Sequence, residues 1–208
     1  MNRAVQLALK HALDRLFAFF LLCLLAPVML AVAAAILFES GRPALFVQRR
    51  VGRNGRLFPV YKFRTMIQGA VNKGLGTTVA AADDRITRVG AFLRRWSLDE
   101  LPQLLNVLRG EMNLVGPRPT LEYQVAQYTP FQRRRLEMKP GITGWAQVNG
   151  RNRLPWAQRI ELDVWYVDHF SLALDARILL RTVGVLCRRE GLYGPDGIND
   201  DFVPRGQV

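Results

Sequence analysis

Adjacent carboxylates at Asp99 and Glu100 are the side chains whose type and spacing most readily do chemistry in this sequence. They stand in the run Arg94-Arg95-Trp96-Ser97-Leu98-Asp99-Glu100-Leu101-Pro102, behind two arginines and at the head of an apolar stretch. Two capping arrangements compete. Ser97 with Glu100 makes an S-x-x-E capping box, but this puts Pro102 beyond the first turn, where its missing N–H matters. Asp99 as N-cap puts Pro102 within the first turn, where it is tolerated. We favour the second, with a helix running from Asp99 to Arg109 and stopping at Gly110. In either arrangement both carboxylates sit at the positive end of a helix with arginines nearby, and both effects favour the ionised form. Acidic residues at a helix start are most often only caps. An ionised carboxylate can also attack phosphorus and hold a covalent phosphoryl group, and two adjacent ones can hold a hard cation such as magnesium (Mg2+).

Phosphate chemistry needs positive charge aimed at the transferring group. Lys62 and Arg64, in Tyr61-Lys62-Phe63-Arg64-Thr65-Met66, alternate with aromatic residues and in a strand project from one face. Arg94 precedes the carboxylates. Arg118 is held between Pro117 and Pro119, which limits its backbone, and its fork suits phosphate oxygens. Taken singly, each of these cations reads as a solvated surface charge. Gly52-Arg53-Asn54-Gly55 does not form a G-x-x-x-x-G-K-[ST] phosphate loop.

Elements able to position these residues follow from patterning. The 208-residue chain is half hydrophobic and carries a formal net charge of +12, which points to anionic partners: nucleic acid, anionic lipid or phosphorylated small molecules. No helix-turn-helix, zinc or RRM signature supports nucleic acid. Cys23, Cys187, His11 and His169 have neither disulfide-framework nor zinc-ligand spacing. Leu16 to Phe38 contains no charged residue and is long enough for the roughly 20 apolar residues of a membrane helix; it exceeds the usual h-region of a signal peptide. Pro27 interrupts it near the middle, and basic residues flank both ends. A helix that enters the bilayer, bends at Pro27 and leaves on the same face reconciles these facts, with an ordinary spanning helix as the alternative.

Beyond it, 44–47 and 57–61 read as strands around a Gly52–Gly55 turn, and 69–82 as a loop. Residues 86–95 read as a helix, Gly116-Pro117-Arg118-Pro119 as a rigid turn, 121–138 as helical but interrupted at Pro130, and 141–152 as a loop. Residues 154–167 and 174–189 read as further helices. The last of these is amphipathic with a basic face, which suits either a lipid interface or an ordinary surface position. The expected fold class is α/β in a loose sense: mostly helical, one membrane-anchored domain, a small strand element. Its parts are an anchoring helix in 1–40, a catalytic domain in 41–190 and an irregular tail in 191–208.

Five ordered motifs carry a resemblance. They are 60–66 (Val-Tyr-Lys-Phe-Arg-Thr-Met), 97–104 (Ser-Leu-Asp-Glu-Leu-Pro-Gln-Leu), 106–112 (Asn-Val-Leu-Arg-Gly-Glu-Met), 115–119 (Val-Gly-Pro-Arg-Pro) and 139–151 (Lys-Pro-Gly-Ile-Thr-Gly-Trp-Ala-Gln-Val-Asn-Gly-Arg). Together they resemble the monotopic polyprenyl-phosphate phosphoglycosyl transferases, often called bacterial sugar transferases, from about Asp14 to Arg189. The resemblance implies a re-entrant helix broken at Ala26-Pro27, where many members carry Ser-Pro. It implies a dyad at Asp99 and Glu100, with Asp99 attacking the sugar-linked phosphate of a UDP-sugar, UMP leaving, and polyprenyl (undecaprenyl) phosphate then taking the phospho-sugar. It further implies a magnesium requirement met at Asp99 and Glu100, with Arg118 and Arg94 gripping phosphate and Lys62 and Arg64 as weaker carry-overs. The implied place is the bacterial inner membrane, with the catalytic domain on the cytoplasmic face, in contact with membrane lipid and not nucleic acid. These motifs specify neither the sugar nor the oligomeric state.

Overall fold

The computed structural model describes residues 2–73, 78–188, 191–194 and 197–199. Its first element, α1 (Arg3–Ser40), is a single 38-residue helix, about 57 Å along its path at 1.5 Å per residue, that runs through Ala26-Pro27 without the interruption expected there. Asn2 caps it by accepting from Ala4 N, and Gly41 ends it at φ 75°. One stripe faces the rest of the chain: Lys10, Asp14, Ala18 and Ile36 are buried, and Leu21, Leu22, Leu25, Met29, Val32 and Ala33 pack between them. This three-to-four-residue spacing is that of one helix face. The opposite face is bare and apolar, with Leu24 73% and Phe38 96% exposed.

After α1 come β1 (Leu45–Val51) and β2 (Leu57–Phe63), an antiparallel hairpin pairing Leu45 with Phe63 and Val51 with Leu57. The expected Gly52–Gly55 turn joins them, and both strands run longer than their apolar cores suggest. The expected 69–82 loop carries a short β3 (Val79–Ala80). Then follow α2 (Arg88–Trp96), a 3-10 segment over Leu98–Gln103 and α3 (Leu104–Arg109), closed by left-handed Gly110. Next are β4 (Asn113–Val115), α4 (Glu122–Ala126), α5 (Pro130–Arg133), β5 (Gly141–Thr143), α6 (Trp145–Val148), α7 (Trp156–His169), α8 (Leu172–Arg188) and β6 (Ile198–Asn199). Arg189 and 200–208 lie outside the described residues.

Three differences from expectation have local causes. Asp99 is not a helix N-cap: Ser97, at φ 55°, ends α2 and turns straight into the 3-10 segment, so Asp99 and Glu100 occupy its first turn. Pro102 falls inside that segment, beyond its first turn, and supplies no N–H for an i→i−3 bond to Asp99 O. The glycine-rich 141–152 stretch is not simply a loop, since Asn113 pairs with Gly141 and Val115 with Thr143 in a parallel bridge. The tail is not wholly irregular, because β6 pairs with β3.

Both ends of α1 are fastened to the domain. Buried Lys10 Nζ donates to Asp175 Oδ2 of α8 at 2.6 Å and lies 3.1 Å from Asp14 Oδ2, while Tyr166 of α7 donates to Asp175 Oδ1 at 2.6 Å. Arg3 donates to Val167 O at 2.7 Å. At the far end Glu39 accepts from the backbone of Arg88 and Val89, the exposed first donors of α2. Helix α8 buries Leu174 and Ile178 but leaves Leu179, Leu180 and Val183 exposed, between the two positions expected for it.

A second fastening lies under the C-terminal half. Arg135 donates to the Tyr128 hydroxyl at 2.7 Å and to Arg118 O at 2.9 Å, and forms a close ion pair with Asp163 of α7, all within the interior. Burial pushes the Asp163 carboxyl up to about 6 despite that partner, leaving it ionised at neutral pH. Removing one member of a buried pair strands the other charge, at about 3–5 kcal/mol. Arg135→Leu is therefore expected to lower unfolding free energy by about that amount, measured by denaturant titration in detergent. A loss below about 1 kcal/mol, the range of surface pairs, contradicts the buried-pair account.

Candidate active site

Strand β2, the Ser97 turn and the Gly116–Pro119 turn deliver the charged residues to one cavity of about 930 Å3, within the range of nucleotide-sized ligands. Its walls include Lys62, Arg94, Asp99, Glu100, Arg118 and Arg151. Two close backbone approaches set the frame. A Cβ on Gly90 would stand 2.0 Å from Thr65 O, so only glycine lets α2 lie against the strand end and hold Arg94 over the cavity. Arg94 Nε there donates to Thr65 Oγ1 at 2.9 Å. Gly116 and Gly141 touch backbone to backbone, with Gly116 N donating to Thr143 O and Gly141 N to Pro117 O, each at 2.9 Å. That lock holds the turn bearing Arg118.

The two carboxylates have opposite surroundings. Glu100 Oε1 accepts from Lys62 Nζ at 2.7 Å and from Arg118 Nη2 at 2.7 Å, while Oε2 has only a long contact to Arg118 Nη1 at 3.4 Å. Burial alone would raise its pKa, but Arg118 and Lys62 outweigh burial and hold Glu100 well below the ordinary range. Asp99 has no hydrogen bond or ion pair among the described residues. Burial, joined by the Glu100 charge, pushes its carboxyl up, against the pull of Lys62, Arg94 and Arg118. The expectation that the ionised form is favoured in both carboxylates thus holds for Glu100 and needs correction for Asp99: only Glu100 receives direct partners.

The cations divide as well. Lys62, Arg118 and Arg94 all reach the dyad's surroundings. Arg64 does not spend its guanidinium there: Nη2 donates to Ser40 O at 2.8 Å and Gly41 O at 2.6 Å, and Nη1 to Arg42 O at 3.0 Å, closing the C-terminus of α1. Lys62 and Arg64 were expected to share a strand face, but β2 ends at Phe63, and the two serve different parts, Lys62 the dyad and Arg64 the anchor. Arg151 is the residue that spacing did not single out. It has φ 55°, donates to Ser97 Oγ at 3.1 Å, and burial lowers its pKa although Glu100 and Asp99 oppose this. Its neighbours Gly150 and Asn152 mark a turn in the sequence, but only the fold brings that turn to the dyad. Ser97 and Arg151, joined by this bond, are both non-glycine residues in the left-handed region, a conformation kept only where surroundings enforce it.

Near the dyad, Lys62, Arg94, Arg118 and Arg151 outnumber Asp99 and Glu100. The excess suits an anionic ligand with two phosphates. No cluster of three or more metal-ligating side chains occurs among the described residues. Asp99 and the lightly engaged Glu100 Oε2 still offer hard oxygens of the kind magnesium takes when substrate phosphates and water complete its shell.

The family model for bacterial sugar transferases matches residues 5–189. The chain is 46% identical over 201 residues to the uncharacterized sugar transferase EpsL of Bacillus subtilis (strain 168), covering 96% of this chain and 98% of that one. It is 41% identical over 199 residues to an undecaprenyl-phosphate galactose phosphotransferase of Salmonella typhimurium, covering 89% of this chain and 42% of the relative. It is 45% identical over 184 residues to a UDP-glucose:undecaprenyl-phosphate glucose-1-phosphate transferase of Xanthomonas campestris pv. campestris, covering 83% and 37%.

The opposed environments predict opposite responses of one carboxyl. Arg94→Gln removes an attraction for the Asp99 charge, so the Asp99 pKa rises further; Glu100→Gln removes a repulsion, so it falls. Carboxyl-carbon NMR of aspartate-labelled protein reads both, and shifts of the same sign contradict the arrangement.

Proposed function

We propose that this chain, which belongs to the bacterial sugar transferase family, moves a sugar 1-phosphate from a UDP-sugar to polyprenyl (undecaprenyl) phosphate and releases UMP. The single observation that carries the mechanism is the unpaired Asp99 carboxylate beside a Glu100 whose Oε1 is taken by two cations. In the first step an Asp99 oxygen bonds to the sugar-linked phosphorus. The bond from that phosphorus to the bridging oxygen breaks, and UMP leaves with its electron pair. In the second step a phosphate oxygen of the polyprenyl substrate bonds to the same phosphorus, and the bond to Asp99 breaks. The names of the Salmonella and Xanthomonas relatives support these two substrates.

Each neighbouring group has a distinct part. Arg118, anchored on Glu100, and Arg94, anchored on Thr65, face the transferring phosphates with oriented donors. Arg151 adds a third guanidinium. Glu100 holds Lys62 and Arg118 in place instead of attacking. Magnesium, held by Asp99 and Glu100 Oε2 together with the nucleotide diphosphate, would supply neutralisation of the leaving group.

The second substrate is lipid-borne, and α1 provides the means to meet it. Its outer face is apolar for most of its length, and by length and composition it is sufficient to cross a bilayer. A spanning helix would carry one end about 30 Å from the domain. Here Arg3, Lys10 and Asp14 hold the first end to the domain, and Glu39 and Ser40 the second. Those ties support a re-entrant, monotopic anchor at the cytoplasmic face of the bacterial inner membrane, with both ends on the domain's side.

Detergent-purified protein incubated with a UDP-sugar panel, magnesium and undecaprenyl phosphate is expected to release UMP with one sugar. Asp99→Asn lowers the rate on the order of 10³-fold or more, as loss of a nucleophile does, and chelation of the metal stops turnover. UDP as product, or an unimpaired Asp99→Asn, overturns the reading.

A further inference from the structure

A second group of cations lies away from the dyad, where the apolar face of α1 begins. His11 and Arg15, one helical turn apart, share a flank of α1. Arg53 projects from the β1–β2 turn, and Lys139 directly precedes Pro140, whose carbonyl accepts from Asn113 N. The chain brings these three segments together because Asp14 accepts from Leu114 N at 3.3 Å, β4 lies alongside β5, and the Arg53–Gly55 turn packs against Arg134–Glu137, which leads into Lys139. Arg15 is held, not waving: its Nη2 lies 2.1 Å from where a Cβ on Gly110 would stand, so the guanidinium covers the C-terminal turn of α3. A helix C-terminus is a favourable seat for a cation. Among the described residues no carboxylate pairs with Arg15, Arg53 or Lys139; Asp14 is engaged by Lys10 and Leu114 N, Glu111 by Asn106 and Glu137 by Arg134.

Like charges gathered without a counter-ion raise each other's energy, and an anion relieves that. The strain is visible in the imidazole: burial first, then Lys139, Lys10, Arg53 and Arg15, push His11 down to about 4. Arg15 and Arg53, after burial, also lower Lys139, with Asp14 opposing them. Position selects the anion. Leu16, Phe17, Phe19 and Phe20 follow Arg15 directly and are half-exposed or more, so the patch stands at headgroup depth once that face meets lipid. It is separate from the dyad: Arg53 is at the closed end of the hairpin, and Lys62 is five residues along β2 from Leu57, about 17 Å at strand rise.

We propose that His11, Arg15, Arg53 and Lys139 form a binding site for the phosphate of an anionic phospholipid headgroup, which seats the first end of α1. The site rests on the membrane reading given above and adds to it a lipid-selective contact that the catalytic cavity does not require.

The test uses the full chain in a neutral detergent, titrated with dihexanoyl phosphatidylglycerol, dihexanoyl phosphatidylcholine and inorganic phosphate. Phosphatidylglycerol is expected to bind more tightly than either comparison compound and to raise the His11 pKa, followed by imidazole NMR. The Arg15→Gln/Lys139→Gln double variant, which alters one exposed and one half-buried side chain, is expected to weaken that binding about 30-fold and to abolish the His11 shift. Thermal melts establish that the variant is folded; should it not fold, Arg53→Gln alone, at an exposed turn, is expected to weaken binding about fivefold. Equal affinity for the two lipids, equal affinity for inorganic phosphate, or folded variants that bind as the parent does each overturns the site. Carbonate extraction of the parent chain from membranes separates the two ideas: release into the wash defeats the membrane reading, whereas retention with an unselective patch defeats only the lipid site.

Discussion

Glu100 accepting both Lys62 and Arg118 on one oxygen is the interaction on which the candidate site turns. Two adjacent carboxylates walled into a cavity would both drift toward the protonated form, since burial penalises each charge and each repels the other. Direct ion pairing breaks that symmetry. Glu100 takes two cations at 2.7 Å and is held as an anion. Its retained charge then works on Asp99, which has burial and a like neighbour against it and only more distant cations in its favour. A more basic carboxylate is a better nucleophile while it remains ionised. The pair therefore divides into one carboxylate fixed by two cations and one whose oxygens are left open to the cavity.

The same strand that feeds Glu100 also ties the site to the anchor. Lys62 reaches the dyad, and Arg64, two residues on, closes the last turn of α1 through the carbonyls of Ser40, Gly41 and Arg42. An α-helix leaves its final carbonyls without intrahelical partners. In a helix whose outer face is apolar, those carbonyls are better satisfied by the protein than left to an environment poor in water. One guanidinium meets the last of them, that of Ser40, and the carbonyls of Gly41 and Arg42 that follow. Displacing Arg64 would thus loosen α1 and the neighbouring strand position together, so the dyad and the end of the apolar helix behave as parts of one rigid junction.

What the sequence made legible follows from range. The apolar helix, the hairpin about Gly52–Gly55, the helix after residue 86 and the rigid Pro117–Pro119 turn rest on local spacing and turn chemistry, and each occurs near its expected place. The motifs also grouped Lys62, Asp99, Glu100 and Arg118, and adjacency to the carboxylates added Arg94; the fold brings all five to one cavity. The errors lie where a distant partner overrides a local rule. Asp99 had the composition of an N-cap, but left-handed Ser97, tied to Arg151 from 54 residues away, sets a 3-10 start instead. Arg64 had the look of a phosphate ligand because nothing nearby in sequence announces the open carbonyls of Ser40 to Arg42. Glycines at 141 and 144 suggested a loop, whereas Gly141 is small so that it can pair beside Gly116.

Charge balance then relates the cavity to the surface around it. Of the cations at the dyad, two are engaged by Glu100, while Arg94 donates to the neutral hydroxyl of Thr65 and Arg151 to that of Ser97. A hydroxyl orients a guanidinium without neutralising it, so the positive potential persists into the cavity, where low dielectric strengthens it. The exposed face of α1, with Phe17, Phe20, Leu24 and Phe38 uncovered, is larger than the scattered apolar residues of an ordinary water-facing surface. It is bounded by Arg15 at one end and by the Arg64-closed Ser40 at the other. A ligand carrying phosphate on an apolar tail would match that pairing of surfaces at once: its tail against the α1 side and its charge toward guanidinium groups held in place but not discharged. Neither surface alone would select such a ligand, since the apolar face would accept any lipid and the cations any phosphate.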